Sequence, residues 1–176
     1  LVAAPGKAWQ SISSKEESQA TFLNGYLYPI MGITALSVFV NLLNDQFTLE
    51  KALKLMTIDF VKFFVGFYIA SFLIDELLQK FFDREKNPKQ VQLFVGYTLS
   101  VYMLITIFLN LFMGMFSFLR FAPLYIIYVI WEGSKYYMDI NENKRLMFVV
   151  LSSLILIFSP DIIERFMFIL MPGLGN

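Results

Sequence analysis

The chain contains no cysteine and no histidine among its 176 residues. These two absences exclude disulfides, thiol nucleophiles and imidazole bases, and they remove the usual ligands of zinc and haem. The sequence therefore predicts no metal site and no cofactor, and it favours a protein that is not an enzyme. A membrane enzyme that uses only carboxylates, hydroxyls and lysine on lipid substrates is the remaining catalytic alternative.

Charge is also scarce, since Asp, Glu, Lys and Arg make up 16% of the chain, against about 25% in an average soluble domain. The 14 basic and 14 acidic residues cancel to a formal net charge of zero. A nucleic-acid-binding protein usually presents a concentrated basic surface. We therefore expect no nucleic-acid partner.

Apolar residues are abundant, at 57% of the chain, with a mean hydropathy of +0.62. They form five runs, and a helix of about 20 apolar residues crosses the roughly 30 Å hydrocarbon core with its backbone hydrogen bonds satisfied. The predicted fold is all-α, a polytopic bundle of five transmembrane helices. The predicted spans cover residues 22–43, 55–78, 91–113, 116–138 and 146–171.

This pattern divides the chain into a polar or amphipathic amino-terminal segment, residues 1–21, and a transmembrane domain, residues 22–176. Trp9 and Ile12 in the first segment are three residues apart and share a helical face. That face either lies in the membrane interface as an amphipathic helix or packs as an ordinary loop. Thr48 is a candidate cap for a short amphipathic lead-in to the second span.

The basic residues of the loops predict the orientation, because cytoplasmic loops carry an excess of Lys and Arg. The side that holds the amino terminus has nine: Lys7, Lys15, Lys80, Arg84, Lys86, Lys89, Lys135, Lys144 and Arg145. The opposite side has three, namely Lys51, Lys54 and Arg120. We expect the amino terminus in the cytoplasm and the carboxyl terminus outside.

Several local strings resemble the Yip1 family, especially its short prokaryotic members. PGKAWQSI at Pro5–Ile12 is similar to the pattern that precedes the first span in that family, and GYTLSVY at Gly96–Tyr102 resembles the glycine-tyrosine motif of its third span. APLYIIYVIWEGSKYYM at Ala122–Met138 and NENKRLMFVV at Asn141–Val150 are similar to the fourth span and the entry to the fifth. The resemblance extends over nearly the whole chain.

The resemblance implies a non-enzymatic membrane scaffold or adaptor that takes part in trafficking or membrane organisation. It implies five spans with a cytoplasmic amino terminus, and partners that are the lipid bilayer, a second copy of the chain or other membrane proteins. The expected location is the bacterial inner membrane, or an endomembrane in a eukaryote.

Six ionisable residues are expected within the spans, at a similar depth toward the outer leaflet. A charged side chain at the bilayer centre costs about 2.5 to 3.5 kcal/mol, so charges within spans are candidates for a function. This candidate intramembrane polar cluster is Asp59, Lys62, Arg120, Asp161, Glu164 and Arg165. One interpretation is a pocket or ion path of a small transporter, adjacent to the helix break at Pro160. The other is a set of salt bridges that holds the helices together. Asp161, Glu164 and Arg165 are expected on one face of the fifth span, and Arg120 is expected to reach a carboxylate across the bundle.

A second charged set is expected at the cytoplasmic ends of the fourth and fifth spans. It comprises Glu132, Lys135, Asp139, Lys144 and Arg145. These residues are candidates for a contact surface for a cytoplasmic partner or anionic lipid, or for ordinary anchoring at the membrane interface. Glu132 and Lys135 are three apart and are expected to pair on one helix.

Overall fold

The computed structural model describes residues 1–15, 17–44, 47–112, 121 and 123–171. Within these ranges the regular structure is entirely helical, which confirms the predicted all-α fold. The helices are α1 (Pro5–Ser13), α2 (Gln19–Phe22), a π-helical turn (Leu23–Leu27), α3 (Tyr28–Ser37), a 3₁₀ segment (Val38–Leu43), α4 (Leu49–Phe82), α5 (Pro88–Leu111), α6 (Tyr125–Tyr136) and α7 (Glu142–Leu170).

Four of the described helical segments are long and apolar enough to cross a membrane. They are the continuous segment Gln19–Leu43, which joins α2 to the 3₁₀ segment, together with α4, α5 and α7. The shortest of them, α5, has 24 residues, which at about 1.5 Å per residue exceeds the roughly 30 Å hydrocarbon core. These helices correspond to the predicted first, second, third and fifth spans.

The predicted fourth span, residues 116–138, is only partly covered by the described residues, because 113–120 and 122 lie outside them. Its described part contains α6, which has 12 residues and is about 18 Å long. Such a length is less than one full crossing. Five spans and the orientation of the termini therefore remain predictions.

Side-chain caps explain where the long helices begin. The Thr48 hydroxyl accepts a hydrogen bond from the Lys51 amide at 3.2 Å, so α4 starts at Leu49, which confirms the predicted lead-in before the second span. Before α5 the Asn87 side chain accepts from the Gln90 amide at 3.1 Å, and Pro88 occupies the first helical position. Both caps supply an acceptor for a backbone N–H that has no partner within its own helix.

Helix α1 packs into the bundle against α6. Trp9 is fully buried, its indole Nε1 donates to the Val129 carbonyl at 2.9 Å, and its ring stacks on Phe94 with a centroid distance of 5.4 Å. A Cβ atom on Gly133 would lie 2.8 Å from the Trp9 ring, so a glycine is needed for this fit. Trp9 therefore packs in the protein core, from a helix rather than a loop, and the position of α1 relative to the membrane interface remains a prediction.

Helices α4 and α7 approach each other closely where Gly66 meets Pro160. A Cβ atom added to Gly66 would lie 3.2 Å from the Pro160 nitrogen and 3.3 Å from its Cα. Gly66 and Ala70 are four residues apart and both buried, and small residues at this spacing allow helices to pack closely. This contact fixes the register of the two helices and thereby positions the charged groups one turn away.

Candidate functional site

The centre of the candidate site is the ammonium group of Lys62, which lies between two carboxylates. It is 2.6 Å from Asp59 Oδ1 on the same helix and 3.2 Å from Glu164 Oε1 on α7. Lys62 and Asp59 are each only 8% exposed. An ion pair with so little solvent is stable only when its charges are matched and hydrogen-bonded, and this one connects α4 to α7.

The register of α4 and α7 explains why Lys62 reaches Glu164. Lys62 is one helical turn from Gly66, and Glu164 is one turn from Pro160 on the antiparallel neighbour. Because Gly66 and Pro160 are in contact, the two charged side chains project into the same space. The absence of a Cβ at position 66 therefore allows the ion pair to close.

A second polar contact joins α5 to the same end of α7. The Tyr102 hydroxyl donates to Asp161 Oδ1 at 3.1 Å, and the Tyr102 ring meets Phe63 edge-on with a centroid distance of 5.5 Å. The acidic residues of α7 thus have partners on two different helices, Glu164 on α4 and Asp161 on α5.

A cavity of about 320 Å³ lies beside these groups. Its described lining includes the charged residues Asp59, Lys62 and Glu164. The other polar residues in the lining are Asn41, Tyr102, Thr106 and Asn110, and the apolar ones are Val38, Leu55, Leu109 and Pro123. The cavity therefore has a polar side, with the ion pairs, and an apolar side.

The predicted intramembrane cluster is thus assembled in part. Asp59, Lys62, Asp161 and Glu164 lie together, whereas Arg165 is exposed on α7. Arg120 lies outside the described residues, so its expected approach to a carboxylate remains a prediction. Whether the cluster has a role beyond stability also remains a prediction.

Sequence reasoning did not include the uncharged members of this site. Tyr102 looks like any other aromatic residue of an apolar span, and Asn41 lies close to a predicted helix end. Asn110 carried a usable signal, since it is the strongly polar residue of a span that contains no charge. Polar side chains at such depth are costly and usually face the interior of a bundle.

The second predicted set lies where the α4–α5 loop meets the α6–α7 loop. Arg84 Nη2 donates to the Asp139 carbonyl at 2.7 Å, and Lys144 Nζ donates to the Phe81 carbonyl at 3.0 Å. Lys144 also lies 3.4 Å from the Asp83 carboxylate. Since these loops contact each other, the carboxyl ends of α4 and α6 lie on the same side of the bundle.

The remaining members of that set are spread around this junction. Lys135 does not pair with Glu132 in the described structure, contrary to the expected spacing, and its Nζ lies 4.7 Å from the Tyr136 ring centroid. Glu132 faces α1, since a Cβ atom on Gly6 would lie 2.6 Å from its Oε2. Arg145 Nη2 donates to the Ile140 carbonyl at 3.4 Å. Their role as a contact surface remains a prediction.

A hydrogen-bonded ion pair between the α4–α5 loop and α4 adds to this junction. Lys86 donates to the Glu76 carboxylate, and this hydrogen bond raises the pKa of Lys86 above its ordinary value. Lys80 lies 3.5 Å from the other oxygen of the same carboxylate. Both lysines are solvent-accessible, so these pairs contribute little to stability.

The described residues contain no group of three or more acidic side chains placed to hold a metal ion. The intramembrane groups are instead arranged as hydrogen-bonded charge pairs beside an open cavity. That arrangement is suited to cross-linking helices and to accepting a small polar ligand.

Comparison with known families gives one result. A family model described as the Yip1 domain matches residues 1–160, which run from α1 through the Pro160 contact on α7. No curated protein and no solved structure matches the chain. Because the family model covers most of the sequence, the chain belongs to the Yip1 family.

Proposed function

We propose that this integral membrane protein is a non-enzymatic scaffold or adaptor that associates with other membrane proteins in trafficking or membrane organisation. The proposal includes five spans, a cytoplasmic amino terminus and an outer carboxyl terminus. It also places the protein in the bacterial inner membrane, or in an endomembrane of a eukaryote. Yip1 family membership and the apolar helices support a membrane protein.

The observation that carries the proposal is that four charged residues of the spans, Asp59, Lys62, Asp161 and Glu164, pair with other groups of the same chain. Lys62 connects α4 to α7 through Glu164, and Asp161 accepts from Tyr102 of α5. Such pairs hold the helices in one arrangement, because separating them would leave a buried charge without a partner. A bundle held in this way is a suitable platform for partners.

The outward side of α7 supplies a surface on which a membrane partner can pack. Every fourth residue along this helix is an exposed apolar residue, namely Leu146, Val150, Leu154, Phe158, Ile162, Phe166 and Leu170. Residues four apart form the ridge that fits into the groove of a neighbouring helix. We refer to these seven residues as the α7 ridge.

Photo-crosslinking within the membrane tests the proposal. A photoreactive amino acid at Phe158, which is 51% exposed on the α7 ridge, is expected to give adducts with protein. The same residue at Leu156, which is fully buried, serves as the matched control and is expected to give intramolecular products. Adducts with lipid alone at several positions of the ridge would contradict a scaffold that uses this surface.

A second candidate function is a small transporter or ion-conducting protein, and the cavity beside Lys62 favours it. A transporter should lose flux in proteoliposomes when Glu164 is neutralised, even if the fold is retained. A scaffold should keep its partners after the same change. Flux measured on Glu164→Gln, together with its yield of protein adducts, therefore separates the two functions.

A further inference from the structure

The polar side of the cavity beside Lys62 is rich in hydrogen-bond acceptors. Lys62 contributes one ammonium group, and two of its donors are directed to Asp59 and Glu164. A carboxylate has two oxygens and about four acceptor positions, so both acids retain acceptor capacity after this contact. The described lining therefore offers more hydrogen-bond acceptor positions than donors.

The two asparagines of the lining add to this surplus. Asn110 Nδ2 donates to Ser37 Oγ at 2.8 Å, and Asn41 Nδ2 donates to the Val38 carbonyl at 3.0 Å. Each amide nitrogen thus directs one of its two N–H donors to a protein acceptor, and each side chain retains one N–H together with a carbonyl oxygen that has two acceptor positions. The Thr106 hydroxyl, which donates to the Tyr102 carbonyl at 3.1 Å, likewise keeps lone pairs for a donor.

The described residues of the lining also carry a net negative charge, which like the surplus of acceptors favours a ligand that donates hydrogen bonds. Asp59 and Glu164 line the cavity, with Lys62 as the positive partner. Asp161 is one turn of α7 from Glu164 and is bonded to Tyr102, which is also in the lining. The net negative charge of these described residues favours a bound cation, because charge within a membrane span is costly unless it is compensated.

The size and the apolar side of the cavity indicate the kind of cation. About 320 Å³ is roughly ten times the volume of one water molecule in the liquid, about 30 Å³, so the space is large for a bare metal ion. Leu55, Leu109 and Pro123 supply apolar surface next to the polar groups. A molecule with a positively charged donor group and a short hydrocarbon part matches both sides.

We propose that this cavity binds a small organic ammonium ion, either free or as the headgroup of an amine-bearing lipid. The ammonium group donates to the carboxylates of Asp59 and Glu164 and to the lining carbonyl oxygens, and its hydrocarbon part packs on the leucines and proline. A scaffold and a transporter are both compatible with such a site, and binding is measured independently of either function.

Calorimetry on the full chain in detergent tests the proposal, with n-butylammonium chloride as the probe. n-Butanol is the uncharged control for shape, and sodium chloride at equal ionic strength is the control for charge. The variants are Glu164→Gln and the matched Glu142→Gln, whose residue is exposed at the other end of α7.

We expect saturable binding of butylammonium that is at least tenfold weaker in Glu164→Gln and unchanged in Glu142→Gln. Binding of n-butanol, or competition by sodium at equal strength, would overturn the assignment to an ammonium group. Absence of saturable binding, or equal affinity in Glu164→Gln, would overturn the site itself. If Glu164→Gln fails to fold, Thr106→Val is measured instead. It is expected to weaken binding, because valine has a shape similar to threonine but lacks the hydroxyl acceptor.

The two sources of the ammonium group are separated by repeating the titration in lipid nanodiscs. Loss of apparent affinity when phosphatidylethanolamine replaces phosphatidylcholine identifies the lipid headgroup as the occupant. The same affinity in both lipids identifies a free amine. Both results support the site, and they differ only in the source of its ligand.

Discussion

Gly66 on α4 lies against the backbone of Pro160 on α7, so that an added Cβ atom would be 3.2 Å from the proline nitrogen. Because backbone atoms cannot move aside as a flexible side chain can, this contact limits how large residue 66 can be. It brings Lys62 and Glu164 within 3.2 Å of each other one turn away. The geometry of the charged site therefore depends on Gly66, a residue that is not itself part of the ion pair.

Replacing Gly66 by leucine is expected to lower the free energy of unfolding by about 1–3 kcal/mol, the usual cost of overpacking a close contact. Gly32→Leu is the matched control, because nothing lies within 4 Å of a Cβ at that position, and it is expected to have little effect. Thermal unfolding of the two variants in the same detergent checks the difference. Equal stability would mean that α4 and α7 are not in close contact at this position.

Replacing Lys62 by methionine is expected to destabilise the protein by about 3–5 kcal/mol, because Asp59 and Glu164 would lose their positive partner. Replacing all three charged residues by neutral ones, Asp59→Asn with Lys62→Met and Glu164→Gln, should recover most of the lost stability. Lys80→Met is the control, since the Lys80 side chain is 67% exposed where it pairs with Glu76, and exposed pairs are worth about 0–1 kcal/mol. Unfolding in denaturant provides the measurement.

Replacing Trp9 by phenylalanine is expected to cost about 1–3 kcal/mol, because the buried site would lose both the indole hydrogen bond to the Val129 carbonyl and part of the ring that fills it. Trp131→Phe is the matched control, with a side chain that is 39% exposed on α6, and it should change the stability little. The remaining tryptophan in each variant reports unfolding by fluorescence. If Trp131→Phe proved the more destabilising change, the docking of α1 in the core would be wrong.

The absence of cysteine makes the predicted topology directly measurable with single-cysteine variants and a membrane-impermeant maleimide. Lys86→Cys is expected to label only from the cytoplasmic side, and Lys51→Cys and Arg120→Cys only from the outside. The unmodified chain, which has no thiol, is the control for background labelling. Labelling of Arg120→Cys and Lys86→Cys from the same side would contradict five spans with the amino terminus inside.

The helices were more predictable from the sequence than their contacts. Hydropathy located four spans because apolar length alone decides that feature, and the Thr48 cap explains why α4 extends further than its apolar run. The sequence placed Asp161 and Glu164 on one face of α7, as the structure does. It did not predict that Lys62 is a partner of Glu164, and its expectation that Arg120 reaches a carboxylate concerns a residue outside the described ones.

The pairing of Lys62 with Glu164 was not predictable from the sequence, because periodicity within a helix defines its faces but not the neighbour that each face meets. The burial of Trp9 depends in the same way on a contact with α6, whose Val129 is 120 residues further along the chain. The uncharged members of the cavity, such as Tyr102 and Asn110, became evident only when α4, α5 and α7 were packed together. Local patterns thus predict helices and charged faces, and helix pairing determines the site.

The most direct test of the proposed scaffold is the yield of protein adducts from a photoreactive residue at Phe158 in the chain with Asp59→Asn, Lys62→Met and Glu164→Gln combined. If the intramembrane charges only hold helices together and partners bind the α7 ridge, the yield should equal that of the parent chain. Loss of the adducts while the fold is retained would contradict this account, because it would show that the charged site itself is required for association.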